Sequence, residues 1–128
     1  MHTRVLALLT AVIVVSVVSG CSPATPAGPV TPTVTSAAVE SGYLTASGTV
    51  SGVAESGGTC KFTFWSKSGG GASRLTSSGA AAGDHTDCGE DSEQATMLLP
   101  GEYEVDLTYE SLDGETSVGE RVPVTVTR

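Results

Sequence analysis

An acidic segment in the second half of the chain holds most of the side chains that could do chemistry. Asp84-His85-Thr86-Asp87-Cys88-Gly89-Glu90-Asp91-Ser92-Glu93 contains five carboxylates and one imidazole. Calcium takes about six to eight oxygen ligands, and a flexible acidic loop can supply several of them. The spacing does not match the EF-hand pattern, so we interpret the segment as a solvated surface loop. The weak candidate metal ligands are Asp84, Asp87, Glu90 and Asp91.

The same segment offers one arrangement for nucleophilic catalysis. His85 next to Asp84 or Asp87 has the residue types of a general base and its orienting carboxylate. The nucleophile would be one of three nearby serines, Ser73, Ser77 and Ser78. No sequence pattern places any of them on a nucleophile elbow. We therefore expect no catalytic residues, no enzymatic activity and no cofactor.

A second group of carboxylates alternates along a predicted strand. Glu102, Glu104 and Asp106 share one face, with successive members about 6.5 to 7 Å apart. A solvated outer face is the simpler interpretation, and the functional alternative is a docking surface for a cationic protein or a cation-bridged cell-wall polymer. Trp65, outward by alternation, is a candidate neighbouring anchor. We favour its burial under the 68–83 loop.

The N-terminal segment predicts the cell compartment in which these side chains act. Met1 to Arg4 is a short basic start, and an apolar run from Val5 to Val18 follows it. Spanning a bilayer takes about 20 apolar residues, so this run is typical of a signal-peptide core. Directly after it comes Val18-Ser19-Gly20-Cys21.

This order of a basic start, an apolar core, small residues and a cysteine resembles the lipobox of bacterial lipoproteins. The resemblance implies cleavage after Gly20 and a diacylglyceride on Cys21, with palmitate as the expected acyl chain. We therefore expect lipid anchoring at the extracytoplasmic face of the cell membrane. The alternative is an ordinary secretory signal with a coincidental cysteine.

The chain that would remain after cleavage is small and acidic. Its 108 residues fit one domain and a tail, and its five basic and 14 acidic residues give a net charge of −9. Nucleic acid and anionic lipid need clustered Lys or Arg, so we expect no nucleic-acid partner. Cationic partners or a divalent metal suit this charge better.

Two cysteines remain once Cys21 is assigned to lipid. Outside the cytoplasm, the pair Cys60 and Cys88 indicates a disulfide, which would stabilise the fold by roughly 3 to 4 kcal/mol. The alternative is a metal site of Cys60, Cys88 and His85. That site lacks the paired CxxC spacing of zinc centres.

Composition divides the chain into three parts. Residues 1–20 are the signal peptide, residues 21–38 are the lipidated cysteine and a Pro/Thr-rich linker, and residues 39–128 are the folded domain. Prolines at three-residue spacing predict an extended tether in the linker. Glycine, valine and threonine are frequent in the domain, and no stretch has helical periodicity.

The strands of the domain are predicted from alternation and turn residues. The Asp113-Gly114 pair predicts a hairpin, and Pro123 predicts an edge position for the last strand. Residues 79–83 are left unassigned. The predicted strands are Tyr43 to Val50 with a continuation at Val53, Thr59 to Ser66, Arg74 to Ser78, Ala95 to Leu99, Glu102 to Tyr109, and Val118 to Val126.

The stretch from Leu99 to Leu107, LPGEYEVDL, resembles the late strands of immunoglobulin-like sandwiches, including polycystic-kidney-disease-like (PKD) and fibronectin type III domains. The resemblance implies that Tyr103 fills the core while its hydroxyl group bonds to upstream backbone. Val105 stands where antibody domains have their second cysteine. We therefore expect a disulfide different from the antibody one.

These observations together predict an all-β, antiparallel immunoglobulin-like β-sandwich with one disulfide. We expect a membrane-anchored extracytoplasmic lipoprotein that acts as a non-catalytic binding or structural module of the cell envelope. Its partners would be the membrane, through the lipid on Cys21, and a cationic protein or cell-wall polymer. Two alternatives are a small acidic inhibitor or immunity-type protein against a cationic enzyme, and a calcium-binding envelope domain.

Overall fold

The computed structural model describes residues 28–69, 72–95 and 98–127, and these residues form nine β-strands. The expectations for the signal peptide, Cys21 and the first part of the linker lie outside them. In chain order the strands are β1 Thr31–Glu40, β2 Tyr43–Ser51, β3 Thr59–Ser66, β4 Ala72–Ser78, β5 Ala80–Ala82, β6 His85–Gln94, β7 Gly101–Glu110, β8 Thr116–Val118 and β9 Val122–Val126.

The strands form two antiparallel sheets. Sheet 1 has the order β1-β2-β6-β5, and sheet 2 has the order β4-β3-β7, with β8 and β9 both pairing along β7. This confirms the predicted all-β antiparallel sandwich. The strand order is that of an immunoglobulin constant-type sandwich with one more strand, β4, beside β3.

The core lies between the sheets because apolar residues alternate along the central strands. β2 contributes Leu44 and Val50, and β3 contributes Phe62 and Phe64, all at most 1% exposed. On β7 every second residue from Tyr103 onward is buried, as the alternation predicted. These are Tyr103, Val105, Leu107 and Tyr109.

The predicted disulfide between Cys60 and Cys88 is confirmed. It joins β3 in sheet 2 to β6 in sheet 1, with the two Cα atoms 5.8 Å apart. Both sulfur atoms are therefore committed to each other, and the alternative metal site with His85 is wrong. The bond also differs from the antibody disulfide, which links the strands equivalent to β2 and β7.

Tyr103 has the predicted role at the start of β7. Its ring is buried in the core, and its hydroxyl group donates a hydrogen bond of 2.9 Å to the carbonyl oxygen of Leu99. The tyrosine corner implied by the resemblance is thus present.

The first strand begins earlier than the sequence predicted. β1 starts at Thr31, inside the segment that we interpreted as linker, so the folded part extends beyond the predicted boundary at residue 39. Sequence alternation failed here because Pro32 and a bulge between Val34 and Ser36 interrupt the strand pattern. Pairing with β2 nevertheless holds β1 along its length.

The prediction of a surface loop at Asp84 to Glu93 is wrong. His85–Gln94 is strand β6, which pairs with β2 and, in its first part, with β5. The residues of β6 that are almost fully buried are Thr86 and Cys88, and both are small. Acidic side chains around them concealed this alternation. The unassigned residues 79–83 contain strand β5.

Other boundary predictions had mixed outcomes. Residues 95 and 98–99 are not in a strand, so the predicted strand from Ala95 to Leu99 is wrong at the positions that the structure describes. Val53 likewise lies beyond the end of β2 at Ser51. The Asp113-Gly114 turn is confirmed between β7 and β8, with Gly114 at φ +84°. Pro123 lies on β9, whose only strand partner among the described residues is β7.

Candidate functional site

The structure brings together the four residues predicted as a docking surface. The β3–β7 register places Trp65 opposite Glu104, with Asp106 on the same face. The indole Nε1 of Trp65 donates a 2.8 Å hydrogen bond to Oδ2 of Asp106. Glu102 extends the group towards β9, where its carboxylate accepts a hydrogen bond from the Thr125 hydroxyl group.

Two cations occupy this surface. Arg121 lies over Trp65, with its Cζ atom 4.9 Å from the ring centroid. Its guanidinium also lies 3.5 Å from carboxylate oxygens of both Glu104 and Asp106. The ammonium group of Lys67 is 3.9 Å from the other oxygen of Glu104. The carboxylates of the middle of the row are therefore already paired within the protein.

The expectation of a solvated carboxylate row is wrong for Asp106, which is only 5% exposed. A buried carboxylate requires hydrogen bonds or an opposite charge, and Trp65 and Arg121 supply both. Arg121 lies over the Trp65 ring, and residues 72–78 of the predicted 68–83 loop form β4, which lies beside β3 in the sheet. The carboxylates of Glu104 and Asp106 are thus paired with groups of the protein itself, and Glu102 is the exposed carboxylate of this surface.

The acidic residues of β6 are distributed over both faces of the strand. Asp87 and Glu90 pair with outward residues of β2, whereas Asp91 and Glu93 pair with the buried Ala46 and Leu44. Among the residues that the structure describes, no group of three or more His, Cys, Asp or Glu side chains could hold a metal ion.

Backbone groups already use two of the candidate metal ligands. Oδ1 of Asp87 accepts a 2.7 Å hydrogen bond from the amide of Gly89, which has φ +65° at the bulge in β6. Oδ1 of Asp91 accepts one of 2.9 Å from the amide of Ser92. These two bonds stabilise the local backbone of β6. The carboxylates that accept them do not converge on one position where a metal ion could bind.

His85 and Asp84 form the predicted pair, but no serine completes it. Nδ1 of His85 lies 3.1 Å from Oδ1 of Asp84, and this hydrogen bond lowers the pKa of the Asp84 carboxyl group. The hydroxyl group of Ser77 donates instead to the carbonyl oxygen of Cys88, at 3.1 Å. No hydrogen bond among the described residues joins His85 to Ser73, Ser77 or Ser78.

Charge separation between the two sheets is the feature that sequence reasoning missed. All Lys and Arg residues that the structure describes lie in sheet 2 or in loops next to its strands: Lys61, Lys67, Arg74 and Arg121. The four strands of sheet 1 contain no Lys or Arg. Their five carboxylates are Glu40, Asp87, Glu90, Asp91 and Glu93. Because we interpreted residues 84–93 as a loop, we did not assign their carboxylates to a sheet. Four of the five acids of sheet 1 lie in this segment.

Tyr109 on β7 and Glu55 in the connection between β2 and β3 form a polar contact. The Tyr109 hydroxyl group donates a 2.6 Å hydrogen bond to Oε1 of Glu55, which also accepts the amide of Leu112 at 3.0 Å. Burial, reinforced by the bond to Glu55, raises the pKa of Tyr109 to about 12. The contact fastens the β2–β3 connection to the β7–β8 turn, which is a structural role.

A cleft of about 190 Å³ lies between β1 and β9, lined by Thr31 to Val34, Glu120 and Val122. Binding sites for small molecules usually enclose about 300 to 1,000 Å³, so this cleft is too small for a typical one.

Within the described ranges, the structure contains no helix with the length and apolar character needed to cross a membrane.

Comparison with known proteins identifies no family for this chain. Neither a protein-family model nor a curated protein matches it. Among solved structures, it is similar to the solution structure of CsgH from R. palustris, with 19% sequence identity and a TM-score of 0.33. The alignment covers 77% of this chain and 91% of that one. A similarity of this size supports no functional assignment.

Proposed function

We propose that the protein is a lipid-anchored, extracytoplasmic binding module without catalytic activity, and that it presents sheet 1 to a cationic partner. The observation that carries this proposal is the charge separation between the sheets. Sheet 1 has five carboxylates in its strands and neither Lys nor Arg, whereas two of the four carboxylates in the strands of sheet 2, Glu104 and Asp106, are paired with cations.

This difference decides which acidic surface can attract a partner. A cation approaching Glu104 or Asp106 must compete with Lys67 and Arg121, which are already in place. On sheet 1, the negative potential is not neutralised by any Lys or Arg in its strands. Such a surface steers cationic proteins towards it, and the steering weakens as salt is added.

The direction of β1 supports the same choice. Thr31 begins β1 at the end of sheet 1 that contains Ser51 and His85, whereas Glu40 ends it beside Tyr43 and Gln94. Ten strand residues span about 30 Å. The acidic half of β6 therefore lies at the end of the sheet opposite Thr31, the strand residue nearest to Cys21 in the chain.

Crosslinking in intact cells tests this proposal. We expect the wild-type protein to capture a basic partner, and the double variant Glu90→Lys with Glu93→Lys to lose it. The matched control is Glu110→Lys with Glu115→Lys, which makes the same charge change at exposed positions of β7 and its following turn. Partner capture that both variants lose equally, or both retain, contradicts a site on sheet 1.

The nature of the captured partner separates the remaining alternatives. A soluble one-to-one complex with a cationic enzyme, dissociated by salt, would identify the protein as an inhibitor or immunity-type protein. A cell-wall polymer would be released by removal of divalent cations. Both outcomes keep the acidic sheet as the binding surface.

A further inference from the structure

The second half of β6 has an unpaired edge. β5 pairs with β6 at His85 to Asp87, and the Ser77 hydroxyl group of β4 donates to the carbonyl oxygen of Cys88. No described strand pairs with Gly89 to Gln94 on the side opposite β2. The amide of Ala95 donates to the carbonyl oxygen of Gly42, so these two residues form a hydrogen-bonded pair. Such pairs alternate along an antiparallel ladder, so the N–H and C=O groups of Asp91 and Glu93 also face β2. The backbone groups of Glu90, Ser92 and Gln94 therefore face outward.

We propose that this edge accepts an extended, Lys- or Arg-rich peptide segment of the partner, which adds to sheet 1 as one more strand. The inference rests on the proposed function and specifies the partner's chemistry. In strand addition, main-chain hydrogen bonds provide affinity, and alternate side chains provide specificity.

Charge complementarity selects a basic segment. Side chains directly opposite on paired strands lie about 4.5 to 5.5 Å apart, close enough for each opposite-charge pair to contribute. A segment added here would meet Glu90 on the outer face and Asp91 and Glu93 on the inner face. The same carboxylates disfavour pairing of two copies of this edge, since like charges would then face each other.

The other exposed edges suit a basic strand less well. β9 contains Pro123, which cannot donate a backbone hydrogen bond, and β4 carries Arg74, which repels cations. β1 contains Pro32 and a bulge, both of which interrupt a regular ladder. The backbone groups of the β6 edge have no partner strand among the described residues, and negative side chains flank them. The Ser92 amide donates to Oδ1 of Asp91 and would exchange that bond for one in the ladder.

A synthetic peptide in which lysine alternates with threonine tests the proposal on the full-length protein in detergent. The control peptide has the same sequence with every backbone amide nitrogen methylated, so it keeps its charge but cannot donate to a ladder. We expect the control to bind at least about tenfold more weakly, because main-chain bonds carry the affinity. Equal binding of both peptides would overturn strand addition while leaving an electrostatic site on sheet 1.

A pair of protein variants tests the edge directly. Ser92→Pro removes an outward amide without touching the pairing with β2, and Ser92→Ala is its control. We expect Ser92→Pro to bind the peptide at least about tenfold more weakly than Ser92→Ala.

Hydrogen exchange on the wild-type protein keeps the test decisive if Ser92→Pro does not fold. The peptide should slow exchange of the Glu90 and Gln94 amides by about tenfold or more, because they become donors in a new ladder. Unchanged exchange at these amides under saturating peptide would overturn the proposal. If the methylated control peptide slows exchange equally, that would overturn it too.

Discussion

At the residue scale, the most informative group is Asp106 with its two partners, Trp65 and Arg121. We predict that Trp65→Phe lowers the free energy of unfolding by about 1 to 3 kcal/mol, because a buried carboxylate loses its 2.8 Å donor. Urea denaturation followed by circular dichroism measures this. Tyr43→Phe, at an exposed position, should leave the midpoint unchanged. An equal effect of the two variants would mean that the indole bond contributes nothing.

Tyr109 makes stability depend on pH in the alkaline range. Its pKa is raised to about 12 in the folded protein, against about 10 in an unfolded chain. Folding therefore favours the protonated phenol, and the resulting stabilisation is complete below about pH 10 and is lost as the pH rises through about 12. We predict a falling free energy of unfolding across this window, measured by denaturant titration at each pH.

The control for this pH dependence is Tyr109→Phe. It should be less stable than the wild type at neutral pH, because Glu55 loses a buried donor. Its stability should fall less steeply between about pH 10 and 12, since the group responsible is absent. Parallel curves for the two proteins would assign the alkaline loss to other groups.

At the element scale, the disulfide fixes β6 against β3. We predict that Cys60→Ala with Cys88→Ala costs about 3 to 4 kcal/mol, the chain-entropy value for closing a loop across 28 residues. Thermal unfolding of this variant and of the wild type measures the difference. Mass spectrometry of the wild type should find both thiols oxidised, and free thiols at both positions would contradict the pairing.

The geometry of β6 also determines whether its aspartates can bind calcium together. Asp87 and Asp91 occupy opposite faces of the strand, because one pairs with Thr49 and the other with Ala46. They cannot share one ion without loss of the strand. We predict that millimolar calcium leaves the melting temperature unchanged, and that Asp87→Asn with Asp91→Asn does not alter its response. A calcium-dependent rise that the double variant abolishes would restore the calcium-binding alternative.

How well each element could be predicted depended on the size of its buried residues. β3 and β7 place phenylalanine, leucine and tyrosine on the inward face, so alternation is visible in the sequence. β6 buries only Thr86 and Cys88 between carboxylates, and its main partner, β2, is far from it along the chain. A strand of this kind is recognised only through its partners.

At the scale of the whole molecule, topology rather than composition decides where the charge lies. The sequence places most acids in the second half of the chain and predicts one acidic face at Glu102, Glu104 and Asp106. Folding sends β6 to one sheet and β7 to the other, and it brings Arg121 back over Trp65. Consequently Glu104 and Asp106 of the row visible in the sequence are paired with cations, and the acidic sheet without Lys or Arg in its strands is assembled from separate segments.

The orientation of this surface in the envelope depends on Cys21. Because β1 begins at Thr31, only nine residues separate it from Cys21, a distance of at most about 36 Å for an extended chain. We predict that Cys21→Ala releases the protein from membranes into the soluble fraction, measured by fractionation and immunoblotting. Cys60→Ala with Cys88→Ala, which keeps Cys21, should remain with the membranes. Membrane retention of the Cys21 variant would contradict the lipid anchor.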